Sequence, residues 1–166
     1  EKIDLQIKDS FNITAIDYAC KNGFDKIVQY FTSLSEVDLT KVNINGLTAL
    51  HFACKFENFE HFQYLINLRV FDLNQKNEDG ETILFYAVEN WKLDFVEYLI
   101  DLDQIEITDV TNDGKTLLHA ACQKDPSDFN MYLFQYLRGL NKIDVNAKAG
   151  IYKRNIFHLA CQYGNK

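Results

Sequence analysis

Long apolar runs and basic clusters are both missing from this 166-residue sequence. No run of about 18 apolar residues occurs, so we expect no direct insertion into a membrane. Lys and Arg form no run and the net charge is −7, whereas duplex-binding surfaces need cations that neutralise phosphates. We therefore expect no nucleic-acid partner. The first residues also lack the apolar stretch of a secretory signal.

Recognisable catalytic motifs are missing as well. The sequence has no phosphate-cradling G-x-x-x-x-G-K-[ST] loop and no G-x-S-x-G nucleophile turn. Its few serines, none of which stands in a nucleophile motif, are Ser10, Ser33, Ser35 and Ser127. We therefore predict no catalytic residues, no cofactor and no enzymatic activity.

A six-residue block that recurs down the chain is the most informative feature present. The blocks begin at Thr14, Thr48, Thr82, Thr116 and Asn155, so the first four starts lie 34 residues apart and the fifth follows after 39. Self-similarity at such a period predicts stacked supersecondary units that share one core. Thr and Asn are favoured helix N-caps, so each block is predicted to open a helix.

Two further patterns lie between the blocks. Apolar residues spaced by three and four predict a second amphipathic helix, as in Phe62-Gln63-Tyr64-Leu65. A brief apolar–polar–apolar alternation, as in Val37-Asp38-Leu39, predicts an extended segment that runs into tight-turn dipeptides such as Asn45-Gly46. Each unit is thus predicted to contain a turn, two short helices and an extended finger.

These patterns together resemble an ankyrin-repeat array. The T-P-L-H-x-A signature of that family is matched most closely by residues 48–53 and 116–121, and Asp144-Val145-Asn146-Ala147-Lys148 is similar to its finger. Tetratricopeptide repeats share the 34-residue period, but they have two longer helices and no finger. The resemblance implies an all-α solenoid of helix-turn-helix units joined by β-hairpin-like fingers.

The predicted organisation is a single ankyrin-repeat domain over residues 1–166. It comprises a finger at 1–12, repeats at about 13–45, 46–79, 80–113 and 114–152, and a partial repeat at 153–166. Solenoids need polar caps on their terminal repeats. Neither end shows one, so we expect a segment of a longer protein.

Several positions depart from the family pattern. The Pro after Thr is missing from every block, and Asp17 and Phe85 stand where the family prefers His. Trp91 occupies the inter-helix turn where the first and last repeats have Gly23 and Gly164. Because Trp resists a positive φ, we expect another turn geometry there. About four extra residues around 123–128 include the only proline, Pro126, which we expect to end the preceding helix.

The cysteines occupy one slot of the repeat, directly after the block; they are Cys20, Cys54, Cys122 and Cys161. Val88 fills this slot in the third block, which indicates a small buried position. Neighbouring helices lie roughly 8–10 Å apart, beyond the reach of a disulfide. We therefore expect reduced thiols and a cytoplasmic location.

Histidines precede three of these cysteines in His-x-x-Cys pairs, which could bind zinc. The pairs belong to different repeats, so we predict no metal site. The resemblance instead implies a structural hydrogen-bonding role for His51, His119 and His158. His61, on the second helix of its repeat, is expected to be half-exposed.

The resemblance implies protein–protein recognition through the finger tips and the concave face. The predicted partner-binding residues are Phe11, Ile13, Ile44, Leu47, Phe56, Glu78, Asp79, Glu81, Glu89 and Trp91. Residues 78–109 contain ten acidic residues and one basic residue, Lys92, which favours cationic partners. The predicted partner is therefore a protein or peptide with an apolar anchor and a basic segment, and the chain is expected to be monomeric.

Four alternatives remain open at this point. The apolar finger residues are equally well explained as scattered surface apolarity, and Trp91 as a structural plug. The array could be a regulatory or targeting segment of a larger enzyme or channel. It could also be an enzyme itself, although no motif points to one.

Overall fold

A computed structural model describes residues 4–43, 45–123 and 131–163. Ile44 and residues 124–130 lie outside them, and so does the expectation that Pro126 ends the preceding helix. The described residues form these helices: α1 (Ala15–Asn22), α2 (Asp25–Ser33), α3 (Ala49–Lys55), α4 (Phe59–Asn67), α5 (Ile83–Glu89), α6 (Leu93–Ile100), α7 (Leu117–Ala121), α8 (Met131–Gly139) and α9 (Ile156–Tyr163). The helices therefore follow the predicted pairs, and the fold class is all-α.

The chain divides into two compact units, Glu1–Asp72 and Leu73–Lys166, here called the first and the second unit. In the first unit, α1 packs against α2 and α3, and α3 packs against α4. In the second unit, α5 packs against α6 and α7, and α7 packs against α8 and α9. Each unit buries the apolar sides of its helices: Leu50 and Phe62 are buried in the first, and Leu84 and Leu118 in the second.

The blocks start helices as the sequence predicts. Thr14, Thr48, Thr82 and Thr116 are the N-caps of α1, α3, α5 and α7, with extended backbone φ and ψ angles. All four are buried. The backbone N–H of Phe85, for example, donates to Thr82 Oγ1 at 3.3 Å. A capping residue thus satisfies a polar group that burial would otherwise leave unpaired.

The turn between the two helices of a repeat has one geometry in three repeats. Gly23, Glu57 and Trp91 have φ values of 69°, 63° and 57°. In each case the next residue's N–H reaches back to a buried Ala carbonyl, as Lys92 N does to Ala87 O at 3.0 Å. The expectation of another geometry at Trp91 is therefore wrong. The backbone bonds of this helix C-cap hold the left-handed conformation despite a cost of roughly 1–2 kcal/mol for a non-glycine residue.

The fingers are turns that form no strand among the described residues, apart from one isolated bridge between Ala149 and Arg154. Asn43 N donates to Leu47 O at 2.9 Å and Gly46 N to Asn43 O at 3.1 Å, and the same pair of bonds recurs at Asn77 and Thr111. The fingers therefore resemble the tip of a β-hairpin, but two bonds are too few to make a ladder.

Candidate functional site

A single side chain closes each regular finger. Asn43 Oδ1 accepts hydrogen bonds from the backbone N–H groups of Asn45 and Leu47, both at 2.9 Å. Asp9 Oδ1 does the same for Phe11 and Ile13, again at 2.9 Å. Such side-chain bonds to nearby backbone define the turn and position its tip.

The second unit repeats this arrangement. Asn77 Oδ1 accepts from Asp79 N at 3.0 Å and from Glu81 N at 2.8 Å, and Asn77 Nδ2 donates to Glu81 Oε2 at 2.9 Å. Thr111 Oγ1 accepts from Lys115 N at 3.0 Å. Sequence reasoning missed these turn-forming residues, although Asp9, Asn43, Asn77 and Thr111 follow the same 34-residue period.

Neighbouring fingers of the second unit are bonded to each other. Asn112 N donates to Asp79 O at 3.0 Å, and Asn112 Nδ2 donates to Glu78 O at 2.7 Å. A Cβ on Gly80, whose φ is 82°, would lie 2.7 Å from Asn112 N. Gly80 is therefore needed both for its conformation and for the close approach of the next finger.

The predicted apolar residues of the first unit differ in exposure. Phe11, at a finger tip, is 62% exposed, and Phe56, the C-cap of α3, is 38% exposed. Ile13 and Leu47 are half-buried. Ile44 lies outside the described residues.

Two lysines flank Phe56. Lys21 Nζ lies 5.1 Å from the centre of the Phe56 ring, and Lys55 Nζ lies 6.0 Å from it. Lys21 Nζ is also 5.8 Å from the ring of Tyr18, whose hydroxyl donates to Asp9 Oδ2 at 2.8 Å. These distances fit cation–π contacts. The signal in the sequence was the position of Lys21 and Lys55 in the last turns of α1 and α3, one repeat apart.

The predicted acidic residues of the second unit also differ among themselves. Glu78 and Asp79 are exposed at the finger tip, whereas Glu81 is half-buried and bonded to Asn77. Glu89, on α5, and Trp91, in the turn after it, are half-buried. Asp109 pairs with Lys76 at 3.0 Å. The strongest exposed negative charge among the predicted residues is thus at Glu78 and Asp79.

The family model described as ankyrin repeats (3 copies) matches residues 1–75 and 67–149. The chain belongs to the ankyrin-repeat family. A search of curated proteins finds no significant match. Among the described residues, the ankyrin-repeat helices are all too short or too polar to cross a bilayer. Ankyrin repeats are, in general, protein–protein interaction modules.

The histidines of the ankyrin blocks bond to the caps, as the resemblance implied. His51 Nδ1 lies 3.0 Å from Thr48 Oγ1, and His119 Nδ1 lies 2.8 Å from Thr116 Oγ1. His158 pairs likewise with Asn155. Asp17 takes the same role by accepting from Thr14 N at 2.9 Å. Among residues 4–43, 45–123 and 131–163, no group of three or more His, Cys, Asp or Glu side chains could hold a metal ion.

Two expectations about single side chains are wrong. His61 is buried rather than half-exposed, with Nε2 2.9 Å from Asp25 Oδ1, because its side of α4 faces the start of α2. Cys161 is exposed, whereas Cys20, Cys54 and Cys122 are buried. Cys122, at the end of α7, is covered because α7 packs against α5, α8 and α9, whereas Cys161 lies on α9, which packs against α7.

Burial also sets the chemistry of the titratable groups. It raises the pKa of the Cys20 thiol to about 12 and that of Cys122 to about 11, which makes both poor nucleophiles. Burial lowers the pKa of His51 to about 4 and raises that of Asp17. These shifts follow from the structural positions of the groups and favour no catalytic role.

Proposed function

We propose that this ankyrin-repeat chain is a non-catalytic recognition module that binds a partner protein through its finger tips and the adjoining ends of the first helices of its repeats. The observation that carries the proposal is the construction of the fingers. Their turns are closed internally by Asp9, Asn43 and Asn77, so the tip side chains are positioned without being used by the fold. Positioned, exposed side chains cost less entropy to order on binding.

The first unit supplies an apolar patch, formed by Phe11, Ile13, Leu47 and Phe56 in our proposal, with Ile44 added from the sequence alone. Aromatic side chains in such patches often dominate affinity. The lysines beside Phe56 would repel a basic segment at this point. The partner therefore places its apolar anchor here.

The second unit supplies an acidic patch, formed by Glu78, Asp79, Glu81 and Glu89 in our proposal, with Trp91 beside it. Exposed carboxylates at the finger tip attract cations over several ångströms and raise association rates. The basic segment of the partner is assigned to this patch. Thiols that stay reduced suit the cytoplasm, which we propose as the location.

A kinetic experiment tests the proposal. Peptides selected from a random library on the intact chain should combine an apolar anchor with basic residues. Phe56→Ala should speed dissociation of the selected peptide about tenfold, as expected for loss of an aromatic anchor. Glu78→Lys combined with Asp79→Lys should mainly slow association and flatten its salt dependence.

Matched controls exist in each unit. Phe24, exposed at the start of α2, gives the variant Phe24→Ala. Asp101 and Asp103, exposed after α6, give a charge reversal of equal size away from the finger. If the patch variants behave like these controls, the partner does not use these surfaces and the proposal is wrong.

A further inference from the structure

A cavity of about 260 Å³ lies in the second unit, between the fourth finger of the chain, at residues 111–115, and the last finger, at residues 149–154. Ala149, Leu159 and His119 line it and are buried, whereas Ile151 and Tyr152 line it with 87% and 72% of their surface exposed. Small-molecule pockets measure roughly 300–1,000 Å³. This cavity is smaller and is open on one side, so it suits a single side chain of a bound peptide.

Backbone hydrogen bonds frame the cavity. Ala149 N donates to Arg154 O at 2.8 Å, and Arg154 N donates to Ala149 O at 3.0 Å. Gly150 N donates to Asp113 O at 2.8 Å, which ties the last finger to the fourth. His119 Nε2 lies 3.1 Å from Arg154 O. The fold therefore holds this finger through its backbone, and the side chains of Ile151 and Tyr152 remain largely exposed.

The charged groups that line the cavity are two cations and one anion. Lys115 Nζ lies 3.5 Å from Asp113 Oδ2. Arg154 stacks its guanidinium 4.7 Å from the Tyr152 ring centre and donates to Gln162 Oε1 at 2.6 Å, so both of these contacts are with neutral groups. Burial lowers the pKa of His119, which leaves its ring neutral at pH 7. The net charge at the cavity is therefore positive.

The sequence around the last finger is also positively charged. All 24 Asp and Glu residues lie within the first 144 positions, and residues 145–166 contain Lys148, Lys153, Arg154 and Lys166. In a chain of net charge −7, this segment is the basic end. Its field attracts anions toward the cavity.

We propose that this cavity docks an acidic segment of a partner protein. An apolar side chain of that segment enters between Ile151 and Tyr152, and neighbouring carboxylates bond to Arg154 and Lys115. Arg suits this role because its planar guanidinium can bond both oxygens of a carboxylate. The inference rests on protein recognition as the function, but it uses none of the patch residues proposed above and has the opposite charge preference.

The probe is a fluorescent peptide with a central Phe between short Glu runs, titrated against the intact chain at physiological salt. Arg154→Ala and Ile151→Ala should each weaken its binding about tenfold, the effect of losing an interaction worth about 1.4 kcal/mol. Lys148→Ala and Phe157→Ala are the matched controls. They remove a cation and an exposed apolar group from the same end of the chain, outside the cavity lining, and should change the dissociation constant little.

Asp113→Asn gives a test of opposite sign. The amide keeps an acceptor for the Thr111 hydroxyl, which donates to Asp113 Oδ1, and it removes the anion that competes for Lys115. Binding of the acidic peptide should therefore tighten by a few-fold. A residue with a merely structural role would weaken binding or leave it unchanged when substituted.

Other outcomes would overturn the inference. These are equal binding of a peptide with Lys in place of Glu, and equal effects of Arg154→Ala and Lys148→Ala. Tighter binding of a single-stranded oligonucleotide, lost in the same variants, would instead assign the cavity to nucleic acid.

Phe56→Ala should leave the acidic peptide bound as in the wild type, so failure here and failure of the patches proposed above are distinguishable. Thermal melts by circular dichroism check that each variant is folded.

Discussion

The third finger of the chain, at residues 77–81, and the last finger, at residues 149–154, are closed by different means. In the third, the Asn77 side chain accepts two backbone N–H groups and the tip is polar. In the last finger, the methyl group of Ala149 cannot accept a hydrogen bond. Two backbone hydrogen bonds between Ala149 and Arg154 close a longer loop instead. The irregular finger exposes two neighbouring large side chains, Ile151 and Tyr152.

The helices that follow these two fingers, α5 and α9, differ in how they are covered. Leu84 and Phe157 occupy one slot of the block, two residues after the cap, yet Leu84 is buried and Phe157 is 61% exposed. Helix α5 packs against both α6 and α7, and α9 packs against α7. Burial at this slot therefore comes from the following repeat, as expected when each unit shares its core with its neighbours.

The largest expected effect comes from removing a core side chain of the third repeat. Leu84→Ala should lower the free energy of unfolding by about 2–5 kcal/mol, because it leaves a cavity in a packed core. Ile156→Ala, on α9, should cost less, since fewer neighbours surround that helix. Urea unfolding measures both, and Phe157→Ala, at an exposed position, should lie within about 0.5 kcal/mol of the wild type. Equal losses for Leu84 and Ile156 would contradict the comparison.

The repeat period and the caps were predictable because both are local. A Thr before an apolar block marks a helix start wherever it stands, so α1, α3, α5 and α7 begin where expected. The turn at Trp91 was not predictable from the preference of Trp alone, since backbone bonds of the preceding helix decide it. His61 was not predictable either, because its partner Asp25 lies one repeat away.

The candidate site was less predictable than the fold. Phe11, Phe56, Glu78 and Asp79 are exposed as a binding role requires, but the lysines around Phe56 come from two helices and change the charge of that patch. The cavity beside Ile151 depends on how the last finger bends, which the irregular sequence 149–154 did not indicate. Hydrogen bonds between fingers, such as that from Gly150 N to Asp113 O, determine which side chains line the cavity.

The second-largest expected effect is a loss of folding stability at low pH. His51 is buried and its pKa is lowered to about 4, against an ordinary value of about 6.5. Between these values the unfolded chain binds a proton that the folded chain does not, so stability is full above pH 6.5 and falls as the pH drops toward 4. Protonation of His51 should lower the free energy of unfolding by on the order of 3 kcal/mol over this pH range.

The measurement is the free energy of unfolding in urea against pH for the wild type and His51→Asn. The variant should lose less stability between pH 6.5 and 4 than the wild type, while carboxylates titrate alike in both. His158→Asn alters the same slot at the exposed start of α9 and is the matched control. A pH dependence that His51→Asn leaves unchanged would show that His51 is not held neutral by the fold.

The smallest effect tests the difference between the fingers directly. Asn77→Ala removes the acceptor for the N–H groups of Asp79 and Glu81 and should cost about 1–2 kcal/mol, as expected for two hydrogen bonds. Hydrogen exchange at those two amides should accelerate more than at Ala87. Asn77→Asp keeps the acceptor, as Asp9 does in the first finger, but it places a second carboxylate beside Glu81, so its stability should be intermediate.

Ala149→Asn should gain no stability in the last finger, because its backbone bonds already close the loop. A gain there equal to the loss at Asn77 would mean that both fingers are closed in the same way.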